Sequence, residues 1–163
     1  MIAIISDLHD NLANLDKCLT WCERAAVSAL LCCGDVTNEE TIGHLAGRFK
    51  KDIYLVRGNV CNYDEKILAK YAHIHYLGRE GGAIELEGRR IAICHEPFLL
   101  DELIRRTAPA IVFYGHTHKP WIEKRNEVMV VNPGTLGGLF QKATFAIYDA
   151  AASEPELKIL EEL

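Results

Sequence analysis

Seven side chains able to bind a metal ion stand at the ends of short apolar runs. Ile2–Ile5 leads through Ser6 into Asp7-Leu8-His9, and Leu30-Leu31-Cys32-Cys33-Gly34 leads into Asp35. Ile53–Val56 leads through Arg57-Gly58 into Asn59, and Ile91–Cys94 leads into His95. Ile111–Tyr114 leads through Gly115 into His116-Thr117-His118. Two carboxylates, one amide and four imidazoles make a mixed oxygen and nitrogen donor set. That set suits manganese, iron, cobalt, nickel or zinc, and not a dedicated calcium site. Seven donors are too many for one tetrahedral ion. They suit two divalent ions that share a carboxylate.

Such residues converge only if the runs are strands of one architecture. In open α/β sheets the carboxyl ends of the strands carry the ligand site. Gly34, Gly58 and Gly115 precede three of the donors, and glycine lets a chain bend sharply beside an ion. The Asp-x-His and His-x-His spacings set alternate side chains on one side of an extended segment.

The remaining pattern supplies those elements. Strands are predicted at Ile2–Ile5, Ala29–Cys33 and Ile53–Val56, with helices at Leu15–Ala26, Glu39–Phe49 and Asp64–Tyr71. Gly43 and Gly47 weaken the second helix. Ile74–Leu77 reads as short and extended. Ala83–Glu87 and Arg90–Cys94 flank Gly88 as a hairpin, and Phe98–Arg106 is a helix. Ile111–Tyr114 is a strand. Trp121–Lys124 and Val128–Val131 form a second hairpin, and Thr144–Tyr148 and Leu157–Leu160 are closing strands. The first half is therefore βαβαβα with a parallel sheet, and the second half is mostly antiparallel. Two sheets packed face to face, with helices outside, satisfy both halves.

The bulk properties agree. The 163 residues, 49% hydrophobic and 25% charged, fit one domain over residues 1–163. No run reaches the roughly 18 apolar residues that span a bilayer. The opening apolar run lacks the basic start and cleavage site of a leader, so a cytoplasmic protein is expected. The six cysteines then read as reduced thiols, with Cys18, Cys22, Cys32 and Cys33 buried. The net charge of -5 and the absence of a basic stripe argue against a nucleic-acid partner. His44, His73 and His75 match no motif and read as surface or hydrogen-bonding residues.

Taken together, Asp7-x-His9, Gly34-Asp35, Gly58-Asn59, His95 and Gly115-His116-Thr117-His118 resemble the motifs of the calcineurin-like metallophosphoesterases. Asn132-Pro133-Gly134-Thr135 resembles a further loop of the small bacterial and archaeal phosphodiesterase branch. The resemblance implies an αββα sandwich of two mixed sheets flanked by helices. It implies that Asp7, His9, Asp35 and His118 hold one ion, and that Asp35 bridges to a second completed by Asn59, His95 and His116. Manganese is the first expectation, with nickel, cobalt, iron or zinc as alternatives. Asp35, Asn59, His116 and His9 would form the catalytic set, a metal-bridging hydroxide attacking a small phosphoester in line. A homodimer is plausible.

Two positions depart from that pattern. Many relatives carry His, or in the small branch Cys, directly after the Gly-Asn motif; here Val60 stands there and Cys61 follows. Val60 cannot donate a proton. Where the small branch often has His-Gly-His, this chain has His95-Glu96-Pro97; Glu96 would line the substrate pocket or, as the first expectation, face water. The alternatives are a nuclease of the same superfamily and a non-catalytic metal-binding scaffold, since one eukaryotic retromer subunit resembles this fold while lacking part of the metal set.

Overall fold

The computed structural model describes residues 1–150 and 154–163. Its first sheet is built from β1 (Ile2–Ile5), β2 (Ala29–Cys32), β3 (Asp52–Leu55) and β4 (Ile74–Tyr76), all parallel. The connections carry α1 (Leu12–Arg24) and α2 (Glu39–Arg48). The last two strands, β10 (Thr144–Tyr148) and β11 (Glu156–Ile159), return to this sheet antiparallel, giving the order β11-β10-β1-β2-β3-β4.

The second sheet contains β5 (Gly82–Leu86), β6 (Arg89–Ile93), β7 (Ile111–Phe113), β8 (Trp121–Arg125) and β9 (Val128–Asn132), in the order β5-β6-β7-β9-β8. Both expected hairpins form. The expectation of a mostly antiparallel second half is corrected at its centre, because β6, β7 and β9 are parallel. The helix α3 (Leu100–Thr107) is the crossover between β6 and β7, and the β8 hairpin delivers β9 alongside β7.

Strand alternation assigns the layers. Ala3 and Ile5 of β1 pack outward with Leu15, Leu19 and Leu45 of α1 and α2. Ile2 and Ile4 pack inward against Ile91, Ile93, Ile111 and Phe113 of the other sheet. Val112 and Val130 face outward with Leu100 and Leu103 of α3. Each central strand is thus buried on both faces, which is why its sequence is a continuous apolar run. The result is the expected αββα sandwich. Among the described residues, no helix is long and apolar enough to cross a membrane.

Local chemistry moves two boundaries. α1 begins at Leu12 rather than Leu15 because the Asn11 side chain caps it, accepting from the Asn14 N–H at 3.1 Å. The expected helix at Asp64–Tyr71 is instead a 3-10 stretch over Glu65–Lys70. The Asp64 carboxylate takes the Lys66 N–H at 2.9 Å, and its carbonyl takes the Ile67 N–H at 3.0 Å, closing a tight turn with i to i+3 bonds. All six cysteines are free, and Cys18, Cys22, Cys32 and Cys33 are buried as read. The three unassigned histidines are hydrogen-bonded: His44 to Asp16, His73 to the Ala46 carbonyl and His75 to Asp52.

Candidate metal centre

The parallel strands of both sheets end on one edge of the sandwich, and all seven candidate donors lie there. Asp7 and His9 follow β1, Asp35 follows β2, Asn59 follows β3, His95 follows β6, and His116 and His118 follow β7. Glycine makes the convergence possible. A methyl group at Gly58 would stand 2.0 Å from Asp35 Oδ1, and one at Gly115 would stand 2.0 Å from Ser6 Oγ and 2.7 Å from Asp7 Oδ2.

The donor atoms form two neighbouring sets. In the first, His9 Nε2 and His118 Nε2 face each other at 3.1 Å, and Asp7 Oδ1 lies 3.2 Å from His118 Nε2 and 3.9 Å from His9 Nε2. In the second, Asn59 Oδ1 lies 2.8 Å from both His95 Nε2 and His116 Nδ1. Asp35 Oδ2 stands between them, 3.9 Å from His9 Nε2 and 3.4 Å from His95 Nε2. Within each of the groups Asp7, His9, His118 and Asp7, Asp35, His95, the ligand atoms all lie within 4.8 Å of one another. Donors about 2.0–2.2 Å from an ion are necessarily about 3–4 Å apart, so this spacing fits divalent cations. Two imidazole nitrogens facing each other need either a shared proton or a shared cation.

Further hydrogen bonds orient the donors. The His95 Nδ1–H donates to the Cys33 carbonyl at 2.7 Å, which leaves Nε2 as the lone-pair atom facing the centre. Asp7 accepts from Ser6 Oγ at 2.6 Å and from the His116 N–H at 3.0 Å. Asp35 accepts from the Val60 N–H at 2.9 Å. The Asn132 side chain donates to the Gly115 carbonyl and to Thr117, and Thr135 donates to the Asp7 carbonyl, so the Asn132–Thr135 loop fixes the backbone under two donors. Ser6 and Asp10 were not legible as functional from sequence. Asp10 accepts from the N–H groups of Thr37 and Asn38 and so ties the loop after β1 to the loop after β2.

Electrostatics separates the two carboxylates. Burial raises Asp7 above the usual carboxylate range, outweighing the Ser6 hydrogen bond and the charges of His95 and His118. Burial pushes Asp35 up as well, but His95 and the Val60 N–H pull it further down, so it ionises more readily than usual. His95 rises because Asp35 and Asp7 outweigh its burial.

At the departures from the family pattern, Val60 is exposed at the edge of the centre. Cys61 is partly buried against the core beneath α1 and α2, with burial pushing its thiol up. The expectation that Glu96 faces water is corrected: it is 4% exposed. Its Oε1 meets Arg79 Nη2 at 3.4 Å.

Residues 1–153 match the family model of the calcineurin-like phosphoesterase superfamily domain. The chain is 27% identical to Phosphodiesterase MJ0936 of Methanocaldococcus jannaschii, covering 98% of this chain and 99% of that protein. A solved archaeal phosphodiesterase superposes with a TM-score of 0.86 at 24% identity, covering 97% of this chain and 98% of that one. Vacuolar Protein Sorting 29 from Cryptosporidium parvum superposes at 0.67 with 19% identity, covering 97% and 95%. At these identities the two structures establish shared fold. The match over nearly the whole length establishes more: this chain belongs to the calcineurin-like phosphoesterase superfamily.

Proposed function

We propose that the protein is a divalent-metal-dependent phosphodiesterase acting on small phosphoesters. In this reading Asp7, His9, Asp35 and His118 hold one ion, and Asp35, Asn59, His95 and His116 hold a second. The observation that carries it is the position of Asp35 Oδ2 between two sets of imidazole nitrogens. The name of the archaeal relative, a phosphodiesterase, supports the choice of diester. Manganese remains the first candidate, with nickel, cobalt, iron and zinc behind it, because the donor types overlap among these metals.

Divalent ions there would supply positive charge to the phosphoryl oxygens and make water nucleophilic near neutral pH. The residues of the chain do the positioning. The Cys33 carbonyl holds His95 in one tautomer. Ser6 and the His116 N–H keep the buried Asp7 pointing at the centre. The Val60 N–H fixes Asp35, while the Val60 side chain offers the leaving group no proton.

Metal-stripped protein, reconstituted separately with Mn, Ni, Co, Zn and Mg, should hydrolyse bis-p-nitrophenyl phosphate faster than p-nitrophenyl phosphate. Stoichiometric metal binding with no turnover on either substrate would replace the enzyme reading with a scaffold.

A further inference from the structure

We infer that Arg79 is a substrate-binding residue that grips a non-bridging phosphoryl oxygen, and that Glu96 is the positioning residue that aims it. This rests on the phosphoesterase reading of the centre.

Arg79 lies in the turn after β4, which backbone hydrogen bonds hold against the segment leading to Asn59. The pairing of β3 with β4 ends at Leu55 and Tyr76, but two further bonds, from the Leu77 N–H to the Leu55 carbonyl at 2.9 Å and from the Arg57 N–H to the Gly78 carbonyl at 3.1 Å, keep the Gly78-Arg79 turn beside the Arg57-Gly58 segment. Gly58 is the residue whose Cα side abuts the Asp35 carboxylate. From this edge of the first sheet, the Arg79 side chain crosses to Glu96 on the second, where Nη2 reaches Oε1 at 3.4 Å. Glu96 directly follows His95, whose Nε2 is 2.8 Å from Asn59 Oδ1. The guanidinium thus ties the turn after β4 to the residue that follows His95.

The pair is oddly built for a purely structural one. Glu96 is a buried carboxylate held by a single long contact, and its Oε2 is buried without a hydrogen-bond partner. A buried carboxylate so poorly satisfied is a weak source of stability. The Arg79 side chain is 63% exposed, so most of its five N–H donors remain open to an incoming ligand. The other cations near this edge are engaged differently. Arg57 donates to the Tyr63 and Cys61 carbonyls and pairs with Glu65, and Lys119 lies over the Trp121 ring. A guanidinium with one arm anchored and the rest free is the fork that recognises phosphate oxygens.

The test compares wild type, Arg79→Ala, Arg79→Lys and Glu96→Gln in the metal-reconstituted protein. Calorimetric binding of inorganic phosphate should weaken about 10–100-fold in Arg79→Ala, the cost of one charge-assisted contact. KM for bis-p-nitrophenyl phosphate should rise similarly while kcat changes less. Arg79→Lys should recover only part, since an ammonium lacks the fork. Glu96→Gln should raise KM by a smaller factor, and added guanidinium ion at low concentration should partly rescue Arg79→Ala. If Arg79→Ala and Glu96→Gln lose thermal stability but keep phosphate affinity and KM, the pair is structural and the inference fails. A wild type that binds phosphate through Arg79 yet turns over nothing would uphold the inference and remove the phosphoesterase reading instead.

Discussion

The two edges of the sandwich use the same unusual backbone for opposite ends. Left-handed φ angles at non-glycine residues occur at Asp7, His9, Asp10, Asp35, His116 and His118 on the carboxyl edge. They occur again at Ala26, Glu87, Ala108, Asn126 and Glu127, all beside the amino ends of β2, β6, β7 and β9. On the amino edge these residues are exposed and close helix ends or hairpins, where glycine or asparagine would serve as well. On the carboxyl edge Asp7 and Asp35 are buried, and apart from the fully exposed Phe140 (φ 59) every side chain involved belongs to the candidate centre or to the loop that braces it. Left-handed backbone costs roughly 1–2 kcal/mol per non-glycine residue. The chain tolerates that cost in turns because nothing selects against it strongly. It carries the same cost at the centre because the side chains cannot be exchanged.

The comparison breaks most sharply at Asp35. Asparagine also adopts left-handed φ, and it has the shape of aspartate. Asp35→Asn, at φ 54, therefore removes charge without new backbone strain. We expect a loss of kcat on the order of 10³-fold with the fold retained. Added manganese should raise the Tm of the wild type by mass action and leave that of the variant nearly unmoved. Equal metal stabilisation of both proteins would show that the carboxylate does not hold the ions.

Val60 sharpens the functional side. Its N–H is used to fix Asp35, and its side chain has no proton to give. General acid help is worth about 10²–10⁴-fold for a poor leaving group. Across aryl phosphodiesters of graded leaving-group pKa, the rate of the chemical step should therefore fall steeply as that pKa rises. A flat dependence would mean that some other residue protonates the departing oxygen.

The carboxyl edge was legible in sequence because two signals coincide there. Strands buried on both faces read as unbroken apolar runs, and four of the five that carry a donor pass through a glycine or serine into a metal-capable side chain, as at Cys33-Gly34-Asp35, while the Ile91–Cys94 run meets His95 directly. Pairing order was not legible. β10 lies against β1 through the register Ile2 to Tyr148, and no local periodicity records a partner so far along the chain. The parallel core of the second sheet was hidden for the same reason, since β9 looked like half of a hairpin and its contact with β7 is non-local. Glu96 misled because glutamate is usually exposed; its burial is set by tertiary packing, which residue type does not report. Ser6 read only as the step from the first strand to Asp7, and its 2.6 Å bond to Asp7 gives it a role.

Gly115→Ala tests the edge by packing rather than charge. The new methyl group would meet Ser6 Oγ, Asp7 Oδ2 and the Cys33 carbonyl at 2.0, 2.7 and 3.1 Å. All three take part in hydrogen bonds that orient Asp7 and His95. Relief must therefore displace the centre. We expect a destabilisation of about 1–3 kcal/mol in urea unfolding, together with a loss of kcat/KM of at least about 10-fold. Normal activity in a destabilised variant would show that the centre tolerates more movement than its packing implies.

Ala26→Gly should show the opposite sign on the amino edge. After α1, the Ala26 N–H donates to the Glu23 carbonyl at 3.1 Å and the Val27 N–H to the Cys22 carbonyl at 3.0 Å. These are the two bonds of a Schellman motif, with Ala26 at its left-handed position, φ 55. Glycine relieves roughly 1–2 kcal/mol of steric cost there. It loses part of that gain, about 0.4–1 kcal/mol, to the greater freedom of the unfolded chain. The balance favours the variant by about 0.5–1 kcal/mol, read as a higher urea midpoint at unchanged m-value. Its kcat/KM should equal that of the wild type, because Ala26 lies at the edge of the sheet opposite the seven donors. A stabilised variant with altered turnover would mean that the two edges are coupled through β2, and that the strain at Asp35 is not set locally.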